Sequence, residues 1–225
     1  MGGPALGAAL TGGGRAVLGV FGGTFDPIHL AHLAVAESAR DALDLEQVLF
    51  IPAGEPPHKP GRTISPAEVR LAMVELAVVG NPDFAVSRIE IDRDGPSYTV
   101  DTLLALRDAR IAAGRVPDLA LILSAEAFAG FPTWRAPERV LELATLVIAP
   151  RDGYPVADPA ELERHFPGTP ARVVVLDGPW MRLSASDIRT RARAGRSVRY
   201  LVPDAVAAYI GDHALYQDQR RIHPS

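Results

Sequence analysis

A glycine turn followed by two histidines is the local pattern with the clearest chemistry. Residues 22–32 read GGTFDPIHLAH and lie between a short apolar run and a stretch with helical spacing. Gly22 and Gly23 would let backbone amides approach a ligand closely, and a helix N-terminus adds free N–H groups and a positive dipole end. We expect Asp26 to be the N-cap and Pro27 the first helical residue. The pattern predicts a cradle for an anionic group.

The two histidines of this segment should face the same ligand. His29 and His32 are three residues apart, so both are expected on one side of the first helical turns, at the mouth of the cradle. An ordinary strand–turn–helix connection with two surface histidines stays open as the alternative. Metal binding by the pair is disfavoured because no third histidine or carboxylate lies at a suitable spacing, so we expect no protein metal site.

A second anion site is expected towards the C-terminal end of the chain. Ser184, followed three residues later by Asp187, resembles a capping box, and Gly195 is a suitable stop for the helix. The arginines crowded here are Arg182, Arg189, Arg191, Arg193, Arg196 and Arg199. The Ser186 hydroxyl and the Arg189 guanidinium would suit phosphate oxygens. An arginine-rich, solvated helix face is the alternative.

Both segments resemble motifs of one enzyme family. Residues 22–32 resemble the GTFDPxHxGH signature of the HxGH nucleotidyltransferases, and LSASDIR at residues 183–189 resembles the ISSTxIR element that closes their triphosphate site. The resemblance to the nicotinate mononucleotide adenylyltransferases of this superfamily runs from about Val17 to Tyr216. It implies that AMP is transferred from ATP to nicotinate mononucleotide, giving nicotinate adenine dinucleotide and pyrophosphate for NAD biosynthesis.

The resemblance also implies the residues that would meet ATP. Catalytic roles are implied for His29, His32, Lys59 and Arg189. Contacts with ATP are implied for Gly22, Gly23, Thr24, Phe25, His29, His32, Glu126, Ser184, Ser186 and Arg189. Mg²⁺ is expected to arrive with ATP, without a dedicated protein site.

Three further segments resemble the part of the family that binds nicotinate mononucleotide. They are PPHKP at residues 56–60, GPSYTVDTL at 95–103 and FPTW at 131–134. The implied contacts are Thr24, His58, Lys59, Tyr98, Thr99, Trp134 and Arg135. Trp134 would stack on the pyridine ring and the Arg135 backbone amide would face its carboxylate. A solvated loop and a core-packed tryptophan are the alternatives, and Ser97 and Thr99 also suit helix caps.

The sequence departs from the family pattern at two places in the expected ATP site. Ala31 stands where the family has glycine, and residues 124–126 read Ser-Ala-Glu where the family usually has Gly-x-Asp. Glu126 keeps the negative charge but is longer by one methylene. We therefore expect altered ATP affinity or geometry.

Several other activities share parts of this pattern. Phosphopantetheine adenylyltransfer would use the same cradle but gives no reason for the FPTW and PSYT segments, and cytidylyl transfer is a further alternative. A catalytically silent nucleotide sensor could carry the changes at Ala31 and Glu126. An aminoacyl-tRNA synthetase is disfavoured because no KMSKS-like segment occurs. Dehydrogenase and P-loop classes are disfavoured because GxGxxG and GxxxxGK[ST] are absent.

Composition narrows the class of protein. The chain has 225 residues, of which 48% are hydrophobic, so we expect one globular domain. Zero cysteines exclude disulfides and fit a cytoplasmic location. A net charge of -4 argues against a nucleic-acid partner, and no apolar run is long enough to span a membrane. The expected partners are ATP and nicotinate mononucleotide, with homo-oligomerisation left open.

Alternating strands and helices must position these residues. Apolar runs predict strands at residues 16–21, 48–51, 84–91, 119–123, 146–149 and 172–176. Helical spacing predicts helices at residues 27–43, 66–79, 97–113, 184–194 and 203–212. This order predicts an α/β, Rossmann-like, doubly wound fold whose mostly parallel sheet has helices on both faces and a small C-terminal helical part.

Long loops follow three of the strands, over residues 53–65, 124–136 and 151–159. In open α/β sheets the ligand lies beyond the carboxyl ends of the strands, so these loops should converge on one crevice. We expect a flexible leader over residues 1–15 and a frayed tail over 217–225. A single nucleotidyltransferase domain should occupy residues 16–216, with its C-terminal helical subdomain over about 182–216.

Overall fold

The computed structural model describes residues 16–55, 64–169 and 171–217. Six parallel strands form one sheet with the order β3-β2-β1-β4-β5-β6. The strands are β1 (Leu18–Gly23), β2 (Gln47–Pro52), β3 (Phe84–Val86), β4 (Leu119–Ser124), β5 (Ala144–Ala149) and β6 (Val173–Val175). This strand order is that of a doubly wound sheet, which confirms the predicted fold class. The leader and nearly all of the predicted tail lie outside the described residues.

Eight α-helices connect and follow the strands in the described part of the chain. They are α1 (Leu30–Leu43), α2 (Ala67–Val78), α3 (Thr99–Ala112), α4 (Ala125–Ala129), α5 (Pro137–Leu143), α6 (Ala160–His165), α7 (Ala185–Arg193) and α8 (Asp204–Asp212). A single 3₁₀ turn spans Phe131–Thr133. Within the described ranges, no helix has the length and apolarity to cross a bilayer. The cytoplasmic location and the domain boundaries stay predictions.

Each face of the sheet has its own hydrophobic core. Along β4, Ile122 points to one face, whereas Leu121 and Leu123 point to the other. Helices α1, α2, α7 and α8 bury residues in the first core, and α3, α4, α5 and α6 bury residues in the second. Because both faces are covered, the strands are apolar at nearly every position, which explains why their sequences are continuous apolar runs.

The chain reverses its winding direction at β1. Val20 of β1 lies opposite Leu49 of β2 on one side and Leu121 of β4 on the other. The connections that leave β1 and β4 therefore diverge to opposite faces of the sheet. A crevice opens at such a switch point, beyond the carboxyl ends of the strands, and here it follows Gly23 and Ser124.

The third strand is shorter than the predicted run over residues 84–91. It pairs with β2 only as far as Val86, and the next amide, of Ser87, donates to the Phe50 carbonyl at 2.9 Å. A turn then begins, in which the Asp92 amide donates to the Arg88 carbonyl at 2.9 Å. The apolar residues after Val86 fill this turn and do not extend the strand.

Short helices account for the other differences. The predicted loop at residues 124–136 contains α4, which Ser124 caps by accepting a hydrogen bond from the Ala127 amide at 3.2 Å. Helices α5 and α6 are also absent from the sequence prediction. With five to seven residues each, these helices make two turns or fewer, and so little sequence carries no readable helical period.

The end of β2 passes close to the turn that precedes α3. The Gly54 amide donates to the Ser97 hydroxyl at 3.2 Å, and the Gly54 carbonyl accepts from Arg70 at 3.1 Å. A Cβ atom at Gly54 would overlap the backbone carbonyl of Glu90. Glycine is required here because backbone, which cannot swing away like a side chain, occupies the space.

We predict that Gly54→Ala lowers the free energy of unfolding by about 1–3 kcal/mol, since the added methyl group must displace backbone. The matched control is Gly211→Ala in α8, where an added Cβ has no neighbour within 4 Å among the described residues. That change should stabilise the protein by about 0.5–1 kcal/mol through helix propensity. Urea denaturation followed by circular dichroism measures both, and equal stabilities for the two variants would contradict the packing argument.

Candidate active site

A crevice of about 410 Å³ opens at the carboxyl ends of β1 and β4. This volume lies in the range of small-molecule sites. The predicted site residues that line it are Gly22, Gly23, Phe25, His29, His32, Glu126, Trp134, Ser184, Ser186 and Arg189. The structure therefore brings the early glycine–histidine segment and the late serine–arginine segment to one cavity.

The turn after β1 differs from its predicted form. Helix α1 begins at Leu30 with His29 as N-cap, so the assignment of Asp26 as N-cap and Pro27 as first helical residue is wrong. The Asp26 carboxylate is instead buried, and it accepts hydrogen bonds from the Tyr216 hydroxyl at 2.7 Å and the Ser65 amide at 3.1 Å. Partners from distant parts of the chain have displaced the local capping contact.

Gly23 has a packing reason as well as a ligand-binding one. The ring of Phe25 lies under it, and a Cβ atom at Gly23 would come within 2.8 Å of a ring carbon. Phe25 has a positive φ of 48°, an uncommon backbone conformation for a non-glycine residue. By contrast, a Cβ at Gly22 would have no neighbour within 4 Å among the described residues. Gly22 thus leaves open space at the crevice.

The two histidines form a stacked pair at the start of α1. Their ring centroids lie 3.7 Å apart with an interplanar angle of 16°. The His29 amide donates to Nδ1 of His32 at 3.2 Å. In the neutral ring of His32 the proton is therefore on Nε2, which makes that nitrogen a hydrogen-bond donor.

The first of these histidines is neutral at physiological pH. Burial, together with the positive charge of Arg151, lowers the pKa of His29 from its usual 6.5 to about 4. Its Nδ1 atom is buried and has no hydrogen-bond partner among the described residues. Buried polar atoms are rarely left unpaired, which makes this nitrogen an exception among the described residues.

The second segment begins α7 as predicted. The Ser184 hydroxyl accepts from the Asp187 amide at 3.1 Å and donates to the Asp187 carboxylate at 2.8 Å. Arg189 donates to the Ser186 hydroxyl at 3.2 Å and to the backbone carbonyl of Asp26 at 2.7 Å. The late arginine thus contacts the turn of the early segment directly.

Arg151 is a crevice residue that the sequence analysis did not single out. It follows β5, and its guanidinium donates to the Leu183 carbonyl at 3.0 Å and lies 3.8 Å from the Glu126 carboxylate. Glu126 has a side chain 54% exposed, so water weakens this ion pair. Its position in the sequence could have indicated a role, because an arginine two residues after a buried strand lies at the edge of the sheet where the crevice was expected.

Two of the three segments expected to hold the second substrate, residues 95–103 and 131–134, lie close together beside the crevice. The Arg135 guanidinium lies over the Tyr98 ring, 4.6 Å from its centroid, and 3.5 Å from the Asp101 carboxylate. Trp134 lines the crevice and also packs on Phe131, with ring centroids 5.4 Å apart. The sequence left open whether Trp134 faces a ligand or packs in the core, and the structure shows that it does both: it lines the crevice and contacts a core phenylalanine.

The remaining residues predicted for the site or for helix caps are not among the described residues that line the crevice. Helix α3 begins at Thr99, and its N-cap is Tyr98, whose side chain makes no capping hydrogen bond. The Ser97 hydroxyl accepts from the Gly54 amide instead. The predicted helix caps at Ser97 and Thr99 are therefore wrong. The Thr24 carbonyl accepts from Arg70 at 2.9 Å. His58 and Lys59 lie outside the described residues.

Metal-binding side chains are not clustered in the described part of the chain. Over those residues, no group of three or more histidine, cysteine, aspartate or glutamate side chains could hold a metal ion. The arrival of Mg²⁺ with the nucleotide stays a prediction. The crevice can offer anions neutral imidazoles, two guanidinium groups and serine hydroxyls.

Comparison of the sequence with known proteins identifies a family model and close relatives. A family model described as cytidylyltransferase-like matches residues 20–191. A relative from Roseiflexus sp. (strain RS-1), named "Probable nicotinate-nucleotide adenylyltransferase", is 50% identical over 202 residues, which are 90% of this chain and 98% of the relative. A relative of the same name from Thermus thermophilus is 46% identical over 200 residues, covering 89% and 99% of the two chains.

A solved structure shares the fold. Nicotinic acid mononucleotide adenylyltransferase from Plasmodium falciparum, complexed with NaAD, matches with a TM-score of 0.71 at 14% identity. The match covers 88% of this chain and 96% of that one. The same protein complexed with APC matches with a TM-score of 0.70.

The lowered pKa of His29 predicts a pH dependence of stability. Because the unfolded chain, with a histidine pKa of 6.5, binds this proton more readily than the folded one, the stabilisation is complete above 6.5 and is lost as pH falls towards 4. We expect a loss of about 1.4 kcal/mol per pH unit in this interval. His29→Gln should remove this contribution, whereas His165→Gln, at an exposed histidine, should keep it. Urea titrations across the interval measure the slopes, and parallel profiles for His29→Gln and the wild type would refute the prediction.

Proposed function

The chain belongs to the nicotinate-nucleotide adenylyltransferases of the cytidylyltransferase-like family, and from this membership we propose how its crevice transfers the adenylyl group of ATP to nicotinate mononucleotide. The observation that carries the proposal is the 2.7 Å hydrogen bond from Arg189 to the Asp26 carbonyl. It joins the start of α7 to the turn before α1, so a triphosphate in the crevice would meet both.

The reaction forms one phosphorus–oxygen bond and breaks another. A phosphate oxygen of nicotinate mononucleotide attacks the α-phosphorus of ATP in line, and the bond between the α-phosphorus and its bridging oxygen to the β-phosphate breaks as pyrophosphate leaves. The attacking oxygen is anionic at neutral pH, so no general base is needed. Orientation of the two reactants would then supply much of the rate, about 7–11 kcal/mol of barrier lowering in favourable cases.

We assign the triphosphate to the crevice side chains near α1 and α7. His29 and His32 would donate ring N–H groups, Ser186 a hydroxyl and Arg189 a guanidinium, to oxygens that gain charge in the transition state. The protonated Nε2 of a neutral His32 supports this role, since it donates without requiring a protonated ring. Backbone amides at Gly22 and Gly23 complete the cradle.

Mg²⁺ would be held mainly by the triphosphate, where it neutralises phosphate charge. Glu126 is the acidic side chain lining the described crevice, and its nearest ionic neighbour in that region is Arg151 at 3.8 Å. A single, half-exposed carboxylate beside a guanidinium does not provide the ligand set of a protein-held cation.

We place nicotinate mononucleotide beside Trp134, with its pyridine ring stacked on the indole. The contact of Arg135 with Tyr98 supports this, because it draws the segment after Trp134 against the start of α3, near Thr99. His58 and Lys59 are assigned to its phosphate from the sequence resemblance alone.

The departures from the family pattern motivate the second candidate, a nucleotide sensor without catalysis. Ala31 is only 7% exposed and is one of the residues that line the crevice. Ser124, in contrast, has a structural use as the cap of α4. The relatives named for adenylyl transfer favour the enzyme.

Pyrophosphate release distinguishes these functions. The purified protein is given ATP and Mg²⁺ with nicotinate mononucleotide, nicotinamide mononucleotide or phosphopantetheine in turn. We expect turnover with nicotinate mononucleotide to exceed that with phosphopantetheine by orders of magnitude. Measurable ATP binding without pyrophosphate release from any of them would reject the enzyme and favour the sensor.

Trp134 should determine affinity for the pyridine substrate. Loss of stacking in Trp134→Ala, worth about 1–3 kcal/mol for a base on an aromatic side chain, predicts a rise of roughly 5- to 150-fold in KM for nicotinate mononucleotide. Trp134→Phe keeps a flat ring and should lose less. Steady-state kinetics with each substrate varied separately measures both KM values. If only the KM for ATP rose, the loop that carries Trp134 would contact ATP and not the pyridine substrate.

A further inference from the structure

Tyr216 reaches from the end of the described chain back to the turn after β1. Its hydroxyl donates to one Asp26 carboxylate oxygen at 2.7 Å. Burial raises the pKa of Tyr216, and the nearby Asp26 charge raises it further, so the hydroxyl keeps its proton and acts as a donor. The residue has a positive φ of 66°, which a tyrosine rarely adopts. Its position is therefore fixed by tertiary contacts rather than by local backbone preference.

Asp26 is held on more than one side. The residue is 4% exposed, and the second oxygen of its carboxylate accepts from the Ser65 amide at 3.1 Å. The Thr24 carbonyl in the same turn accepts from the buried Arg70 at 2.9 Å. Tyr216 supplies the contact that comes from the C-terminal end of the described chain.

The backbone carbonyl of Asp26 connects this arrangement to the crevice. It accepts the hydrogen bond from Arg189 at 2.7 Å. A rotation about the backbone of Asp26 would move both its carboxylate and its carbonyl, because they belong to the same residue. Holding the carboxylate therefore restrains the turn that carries the acceptor for the Arg189 guanidinium.

We propose that Tyr216 is a positioning residue for adenylyl transfer, which holds Arg189 at the triphosphate through Asp26. This inference rests on the proposed function, in which Arg189 contacts the phosphates of ATP. It assigns a role in the reaction to a hydroxyl that does not line the crevice.

Tyr216→Phe removes the hydroxyl and keeps the ring. We expect kcat with nicotinate mononucleotide to fall about 10-fold, the scale of one hydrogen bond to a charged group, and the KM for that substrate to stay within about threefold. Tyr200→Phe is the matched control, because Tyr200 is 80% exposed, and it should match the wild type. An unchanged kcat in Tyr216→Phe, or a lowered melting temperature with normal kinetics, would overturn the proposal.

A double-mutant cycle tests the route through Arg189. In an Arg189→Ala background, Tyr216→Phe should cost less than about twofold in kcat, because the side chain that it positions is gone. A repeat of the full 10-fold loss in that background would show that Tyr216 acts elsewhere and would reject the proposal.

Calorimetric titration with ATP separates this inference from the proposed function. Tyr216→Phe should weaken ATP binding severalfold, and in the Arg189→Ala background it should have no further effect. A wild type that binds ATP without turnover would reject the proposed function, while the same cycle in binding affinity would still decide the role of Tyr216. If the wild type and Tyr216→Phe had equal ATP affinity and equal kcat, the positioning role of Tyr216 would be rejected.

Discussion

The hydrogen bond from Arg189 to the Asp26 carbonyl joins two segments that lie 163 residues apart, and the candidate site depends on that junction. Taken alone, each segment is a common feature: a glycine turn before a helix, and a capped helix start with an arginine. The core makes their meeting possible. Ile188 and Ala192 of α7 are buried in the same core as α1, which rotates the helix so that Arg189 faces the turn after β1. Hydrophobic packing thus sets the position of the helix, and polar contacts with the Asp26 carbonyl and the Ser186 hydroxyl set the position of the guanidinium.

Charge in the crevice is distributed so that the cations are the arginines. His29 is 3% exposed and stays neutral, because a second positive charge close to Arg151 would be both desolvated and repelled. Neutral imidazoles still donate hydrogen bonds, so the pair of histidines offers directional contacts while Arg151 and Arg189 offer charge. This division suits a ligand with several phosphate groups, whose oxygens need donors at defined positions as well as neutralisation.

The sequence carries the fold and much of the site because the relevant signals are local. Apolar runs mark the strands, the Ser184–Asp187 pair marks the start of α7, and the rule that parallel strands end at one edge predicts the crevice. The prediction failed where a local pattern had a distant competitor. Asp26 followed by proline is a typical helix start, yet its carboxylate is taken by Tyr216, which is 190 residues away. Nothing within a helical turn of Asp26 reports that partner.

Arg70 shows why such contacts escape sequence reasoning. It is 1% exposed, and its guanidinium donates to the backbone carbonyls of Thr24, Ala53, Gly54 and Ser65. Backbone carbonyls are present at every residue, so the acceptors leave no signature, and an arginine in a helix ordinarily indicates a solvated face. A buried guanidinium with several satisfied donors holds loops together where apolar side chains could not, because loop backbone must find polar partners. The segments before α1 and after β2 are therefore positioned by polar contacts. Ala31 and Glu126, where the sequence departs from the family pattern, line the crevice and take no part in the Arg70 hydrogen bonds.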